Sequence, residues 1–288
     1  MAFSHVAHCP EVSPAVCADP DIEMEPHEHH QGVTMIRHQT SVSYGLGKGW
    51  QIFAQIPVDA KIMTIEYATL DGRPYDPPYG DIHHRNETLM GLGDGRVEAQ
   101  RFVRLSDGWV MGAGLGTTVP LGRTEENPFI AAQKSEEHQH MQMGSGTFDP
   151  TFSASSVWSG HQWGATLAAS GSLALMENSK GYKPSSVIQV GGGPTYRFNA
   201  KFMAATDLTL TRENQAEWDG TPDYMSGRTA LTGGAALIYR LNPQWATMVQ
   251  AQSTLLQWSE ASLIVQRFKG TIGISWTPQG KGKAGDYH

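Results

Sequence analysis

Charge is scarce in this chain: Asp, Glu, Lys and Arg make up only 17% of its 288 residues. A soluble enzyme of this size carries more Lys and Glu, and several amphipathic helices. Few windows place apolar residues at i, i+3, i+4 and i+7, so helices are expected to be rare. No run of 18 apolar residues exists, which excludes an α-helical membrane span. The net charge of −7 comes without a basic stripe, so nucleic acid is not an expected partner. The start, Met1-Ala2-Phe3-Ser4-His5, lacks the charged and apolar regions of an export signal and reads as a mature or recombinant N-terminus. Cysteine is limited to Cys9 and Cys17, which could close a small loop in an oxidising compartment or stay unpaired.

What the chain has instead is alternation. In Trp109–Val119 the odd positions carry Trp109, Met111, Ala113, Leu115 and Val119, and the even ones Gly112, Gly114, Gly116 and Thr118. That is period two, large apolar against small, over the length of a tilted membrane strand. The same pattern runs through Trp163–Leu175, Phe202–Thr211, Leu231–Tyr239 and Ile264–Trp276. Asp207, Arg267 and Lys269 fall on the small or polar face, as lipid outside and a polar lumen inside would require. A soluble sandwich or lipocalin-like barrel would put Lys and Glu, not Leu, Trp and Phe, on its outward faces. Because only alternate residues meet lipid, the negative mean hydropathy of −0.36 is compatible with a membrane strand.

Connections alternate in length. Gly47-Lys48-Gly49, Ser106-Asp107-Gly108, Ser159-Gly160, Asn199-Ala200 and Asn242-Pro243 read as tight turns. Long polar connections are expected at about 70–93, 122–146, 176–184, 213–226 and 258–262. Short turns on one side and long loops on the other are the outer-membrane arrangement, with the long loops extracellular. Trp50, Trp109, Trp158, Trp163, Tyr239, Trp245 and Trp276 lie near strand ends, as interfacial girdles do.

The expected fold is therefore all-β: a transmembrane antiparallel up-and-down β-barrel of about 12 strands, 11 of them visible. They fall at 34–46, 50–69, 95–105, 109–121, 147–158, 162–175, 185–198, 201–212, 228–240, 244–257 and 263–276. Residues 1–32 are expected to be an irregular Pro/His-rich segment, 33–276 the barrel and 277–288 a polar tail. Bacterial barrels have even strand numbers, so either residues 1–12 hold a twelfth strand or an N-terminal strand is missing. The poor patterning of FSHVAH favours the latter, or an irregular start.

Three motifs also point to a family. Gly91-Leu92-Gly93-Asp94, Val119-Pro120-Leu121-Gly122-Arg123-Thr124 and, most strongly, Gly144-Ser145-Gly146-Thr147-Phe148-Asp149-Pro150 occur in order and spacing across residues 33–276. Together they resemble the outer-membrane family named for the MetA pathway of phenol degradation. The resemblance implies a barrel-forming transporter. The chain departs from the family at its N-terminus, where members begin with an additional strand, and in the polar tail beyond Trp276.

Twelve histidines are about twice ordinary usage, and they cluster. His27, His29 and His30 precede the first strand, His83 and His84 lie in the first long loop, and His138 and His140 lie in the second beside Met141 and Met143. Imidazole suits zinc and copper, and thioethers bias a site toward Cu(I). A tetrahedral set such as His83, His84, His138 and His140 could bridge two loops; solvated polar loops explain the same residues without metal. Ser145 near His138 or His140 suggests a rim hydrolase only weakly, because it belongs to a glycine-rich turn, and no enzyme activity is expected. Asp71, Asp76 and Asp81 lack the spacing of a calcium loop.

Three functions remain open: a channel passing a small solute passively, a metal-binding protein capturing copper or zinc at its loops, and a non-conducting structural barrel. Each implies lipid and lipopolysaccharide as surroundings, a small solute or metal ion as cargo, and leaves oligomers possible.

Overall fold

In the computed structural model the described residues are 2–6, 25–78, 85–134, 136–138, 140–224, 226–259 and 266–278. His83, His84, Cys9, Cys17 and residues 279–288 of the expected tail lie outside them. Twelve strands follow one another as antiparallel neighbours in up-and-down order, the architecture of a transmembrane barrel. They are β1 (Ala2–Val6), β2 (His27–Gly47), β3 (Trp50–Thr69), β5 (Gly95–Ser106), β6 (Trp109–Val119), β7 (Pro150–Ser159), β8 (Trp163–Ser172), β10 (Val187–Arg197), β11 (Phe202–Glu213), β14 (Arg228–Arg240), β15 (Trp245–Trp258) and β16 (Phe268–Trp276). β4 (Glu87–Leu92) pairs with the upper half of β3, and β5 with its lower half, so the two form one interrupted strand broken at Gly93-Asp94. Among the described residues the edge strands β1 and β16 do not pair with each other.

The alternation decides which side chain faces which way. Leu115, Ile272 and Ile274 are 73%, 81% and 72% exposed, with Leu167 and Trp163 also on the outer face. Water would penalise so continuous an apolar surface, and lipid does not. The tight turns end the hairpins where the sequence places them. At Gly47-Lys48-Gly49 three consecutive residues have positive φ, 86°, 52° and 77°, which two glycines make affordable. No described helix is long and apolar enough to cross a membrane.

Two expectations need correction. Residues 1–32 are not all irregular: β1 pairs with β2 from Ala2 opposite Gly32 to Val6 opposite Glu28, and β2 begins at His27. β1 supplies the twelfth strand. Five residues are too few for period two to show, and backbone pairing needs no apolar side chains. At the start of β2 the inward residues are His27, His29 and Val33, so a strand with one buried face hides behind polar letters. The first long loop is also shorter than expected, because β4 occupies 87–92.

The long connections pack on one another. α1 (Pro128–Gln133) is a short helix capped by Asn127, whose side chain accepts from the Phe129 and Ile130 amides. The Asn127 amide also donates to Asp219 at 2.7 Å. Asp219 lies between β12 (Glu217–Trp218) and β13 (Thr221–Pro222), which form a small sheet with β9 (Tyr182–Lys183). Lys183 pairs with Glu217 at 3.1 Å, and Tyr182 packs on the buried Trp218 with ring centroids 4.7 Å apart.

Candidate functional site

The inner wall is the candidate site, and its construction depends on missing side chains. Glu98 on β5 is 1% exposed and accepts hydrogen bonds from Arg96 Nε (2.9 Å), Gln100 (2.8 Å) and Ser153 Oγ (2.9 Å). Ser153 belongs to β7, so the contact crosses β6, where Gly114 lies between Gln100 and Ser153 in register. A Cβ on Gly114 would stand 2.6 Å from Ser153 Oγ and 2.7 Å from Gln100 Cγ. The bare strand is what lets the carboxylate reach its third donor.

Asp207 on β11 repeats the device. Its inward neighbour on β14 is Gly234, and beyond that Gln252 on β15. Gln250 and Gln252 donate to its carboxylate at 3.2 and 3.1 Å across the glycine, where a Cβ would come within 2.6 Å of Asp207 Oδ1. The sequence suggests lumenal charges pairing across the interior. The structure instead pairs Arg96 with Glu98 along one strand and holds Asp207 on amides, because short reaches along the wall cost less side-chain entropy than spanning a lumen.

Near the mouth, Arg37 on β2 makes a bidentate pair with Asp59 directly opposite it on β3, at 2.7 and 2.8 Å. Lys61 donates to the Gln142 carbonyl of the second long loop. Met143 of that loop packs on Val33, Met63 and Leu89, with Met141 beside it. The loop is thus folded against the wall formed by β2, β3 and β4.

The three glycine motifs meet at one carboxylate. Asp94 accepts from the Gly122 amide at 3.2 Å and from both the amide and hydroxyl of Ser145 at 2.6 Å. Gly122 and Gly144 touch through their backbones: a Cβ on Gly122 would fall 2.6 Å from the Gly144 Cα. Asn178 of the next loop donates to the Ser145 carbonyl at 2.9 Å. The Ser145 hydroxyl therefore serves Asp94.

The histidines separate. His27 and His29 point inward beside aromatic rings, His27 with its centroid 4.7 Å from Tyr75 and His29 5.7 Å from Tyr67. His30 faces the other side of the strand, exposed, 3.3 Å from Glu28. His138 and His140 stay together, ring centroids 5.2 Å apart, with Phe129 against His140 at 5.9 Å. Burial, and then the charge of His138, push the His140 imidazole down to about 3; burial chiefly, with Arg85 nearby, lowers His138. Among the described residues no three His, Cys, Asp or Glu side chains are placed to hold a metal. The missed elements are Asp94, Glu98 and Asp207 as hubs; their only sequence signal is an acid near glycines.

On the opposite wall, β10, β11, β14, β15 and β16 enclose a cavity of ≈ 230 Å³ lined mainly by Gln and Thr side chains with Arg228 and Lys269.

The chain is similar to the COG4313 outer membrane channel from Pseudomonas putida F1, 13% identical over 86% of this chain and 82% of that one, with a TM-score of 0.54. The fold is an outer-membrane barrel. The NanC porin is 13% identical over 85% of this chain and 99% of its own, with a TM-score of 0.43. No protein-family model and no curated protein sequence matches the chain.

Proposed function

We propose that the protein is an outer-membrane channel that passes a small polar solute passively, with its long loops outside the cell. The observation that carries this reading is the polar inner wall left open around the cavity, opposite a continuous apolar outer face. A purely structural barrel of this kind could fill its interior with side chains; here a cavity of ≈ 230 Å³ stays open against the inner wall. Lipid and lipopolysaccharide would meet the outer face. Membership of the MetA-pathway family is part of the proposal, supported by the convergence of its three motifs on Asp94. Refolded protein in planar bilayers should give discrete conductance steps. Silence from folded protein, confirmed by its β-sheet circular dichroism, would overturn the channel reading.

A second reading rests on the adjacent His138 and His140 rings. Two neutral imidazoles, joined by His83 or His84, would suit zinc or copper. Zinc titration of the wild type should show one more equivalent bound than His138→Ala/His140→Ala; equal stoichiometry would sink the idea.

A further inference from the structure

The cavity on the β10–β16 wall is uneven in charge. In register, Asp207, Gly234, Gln252 and Lys269 form one row across four strands. Three strand spacings put Lys269 about 14 Å from Asp207 along the wall. Asp207 is occupied by Gln250, Gln252 and Thr209. Arg228 spends one N–H, its Nε, on Glu213 at 3.2 Å, which leaves the rest of its guanidinium donors toward the cavity. Beyond its strand pairing with Gln252, the Lys269 side chain makes no ion pair or hydrogen bond among the described residues. Both cations line the cavity, and among the described residues no acid does.

The neutral part of the lining is just as specific. Thr209, Thr232 and Thr254 stand in one row above the first, and Gln189 on β10 pairs with Thr211 in the next. Because Gln252 donates its amide N–H to Asp207, its carbonyl oxygen is left to accept. A ligand here meets two cations able to hold a carboxylate, with hydroxyl and amide groups that pair with its hydroxyls. The three hydroxyls already donate, Thr209 to Asp207, Thr232 to the Thr209 carbonyl and Thr254 to the Gln266 carbonyl, so they meet a ligand hydroxyl as acceptors, while a cation would face Lys269 and Arg228.

We propose that this wall is a binding subsite on the permeation path for a small hydroxylated carboxylate, gripped by Lys269 and Arg228 and read by the Thr and Gln side chains. The proposal rests on the channel reading for its place on a path, but its test does not. Calorimetric titration of refolded protein in detergent would use gluconate, with glucose and benzoate as comparisons. Gluconate should bind at least about tenfold more tightly than either, since glucose lacks the charge and benzoate lacks the hydroxyls. Lys269→Gln and Arg228→Gln should each weaken gluconate binding about tenfold, the scale of one charge-assisted contact. Lys269→Gln is the safer variant, since Lys269 supports no neighbour, and Lys201→Gln at a tight turn should change nothing. Gluconate binding no tighter than glucose, or unaltered in Lys269→Gln, overturns the proposal. Conductance measured on the same preparations separates the two ideas: steps without gluconate binding reject the subsite and keep the channel, and binding without steps does the reverse.

Discussion

Replacing Asp94 with Ala should lower the unfolding free energy by about 3 kcal/mol, since a carboxylate that accepts three hydrogen bonds is removed and its donors are stranded. Two of those donors are backbone amides, of Gly122 and Ser145, which cannot turn to another partner. Asp94→Asn keeps one acceptor oxygen and should lose about half as much. Gly144→Ala tests the same hub from the steric side: its Cβ would stand against Asp94 Oδ1 and within 2.6 Å of the Gly122 Cα. One of those atoms is backbone, so relief requires the chain itself to move, and a loss of about 2–3 kcal/mol is expected. Urea unfolding in lipid vesicles, followed by tryptophan fluorescence, measures all three. If Asp94→Ala and Gly144→Ala both stayed within about 0.5 kcal/mol of wild type, Asp94 would be decoration, not a hub.

Acidification should release the loop that carries His138 and His140. The sign follows from His140, whose folded value of about 3 lies below its ordinary 6.5. A group depressed in the closed state favours that state fully above about pH 6.5, and the advantage declines as pH falls toward 3. At about 1.36 kcal/mol per pH unit, the ceiling is about 4–5 kcal/mol. His138, lowered in the same direction, adds to the effect. Hydrogen exchange of residues 136–143, corrected for its intrinsic pH dependence, should show loss of protection between pH 6.5 and 4. His140→Gln cannot charge and should flatten the profile. A wild-type profile already flat over that range would mean the burial of His140 does not hold the loop. The loop's other ties, Met143 on Val33, Met63 and Leu89 and the Lys61 contact to Gln142, do not involve imidazole and set how far it opens.

The barrel wall was legible because its information is local. Leu115 against Gly114 and Gly116, or Ile272 against Thr271, states which face meets lipid, since consecutive side chains of a strand must point opposite ways. The tight turns were legible for the same reason: positive φ at Gly47 and Gly49 is a requirement of two or three residues. Where polar letters replaced the alternation, as in His27–Gly32, a strand with one buried face went unseen, and the five residues of β1 were too short to declare themselves.

The site was mostly illegible. His138 and His140 could be seen as neighbours because they are two residues apart in one loop, but the division of His27 and His29 from His30 depended on β2 reaching back to residue 27. Glycine carried the rest of the concealed information. Gly114 and Gly234 read as small residues of an inner face, yet their role is to let Glu98 and Asp207 reach a strand further on. That role exists only once three strands are side by side.

By itself, then, the sequence determined the class of fold, the positions of most strands, and the lipid and lumen faces, because sterics and hydropathy act between adjacent residues. Only the tertiary structure decided that residues 2–6 join the wall, that three glycine motifs close on Asp94, and that Lys269 and Arg228 share a cavity. Those depend on backbone pairing and on contacts between residues tens of positions apart, and no local pattern encodes such distances.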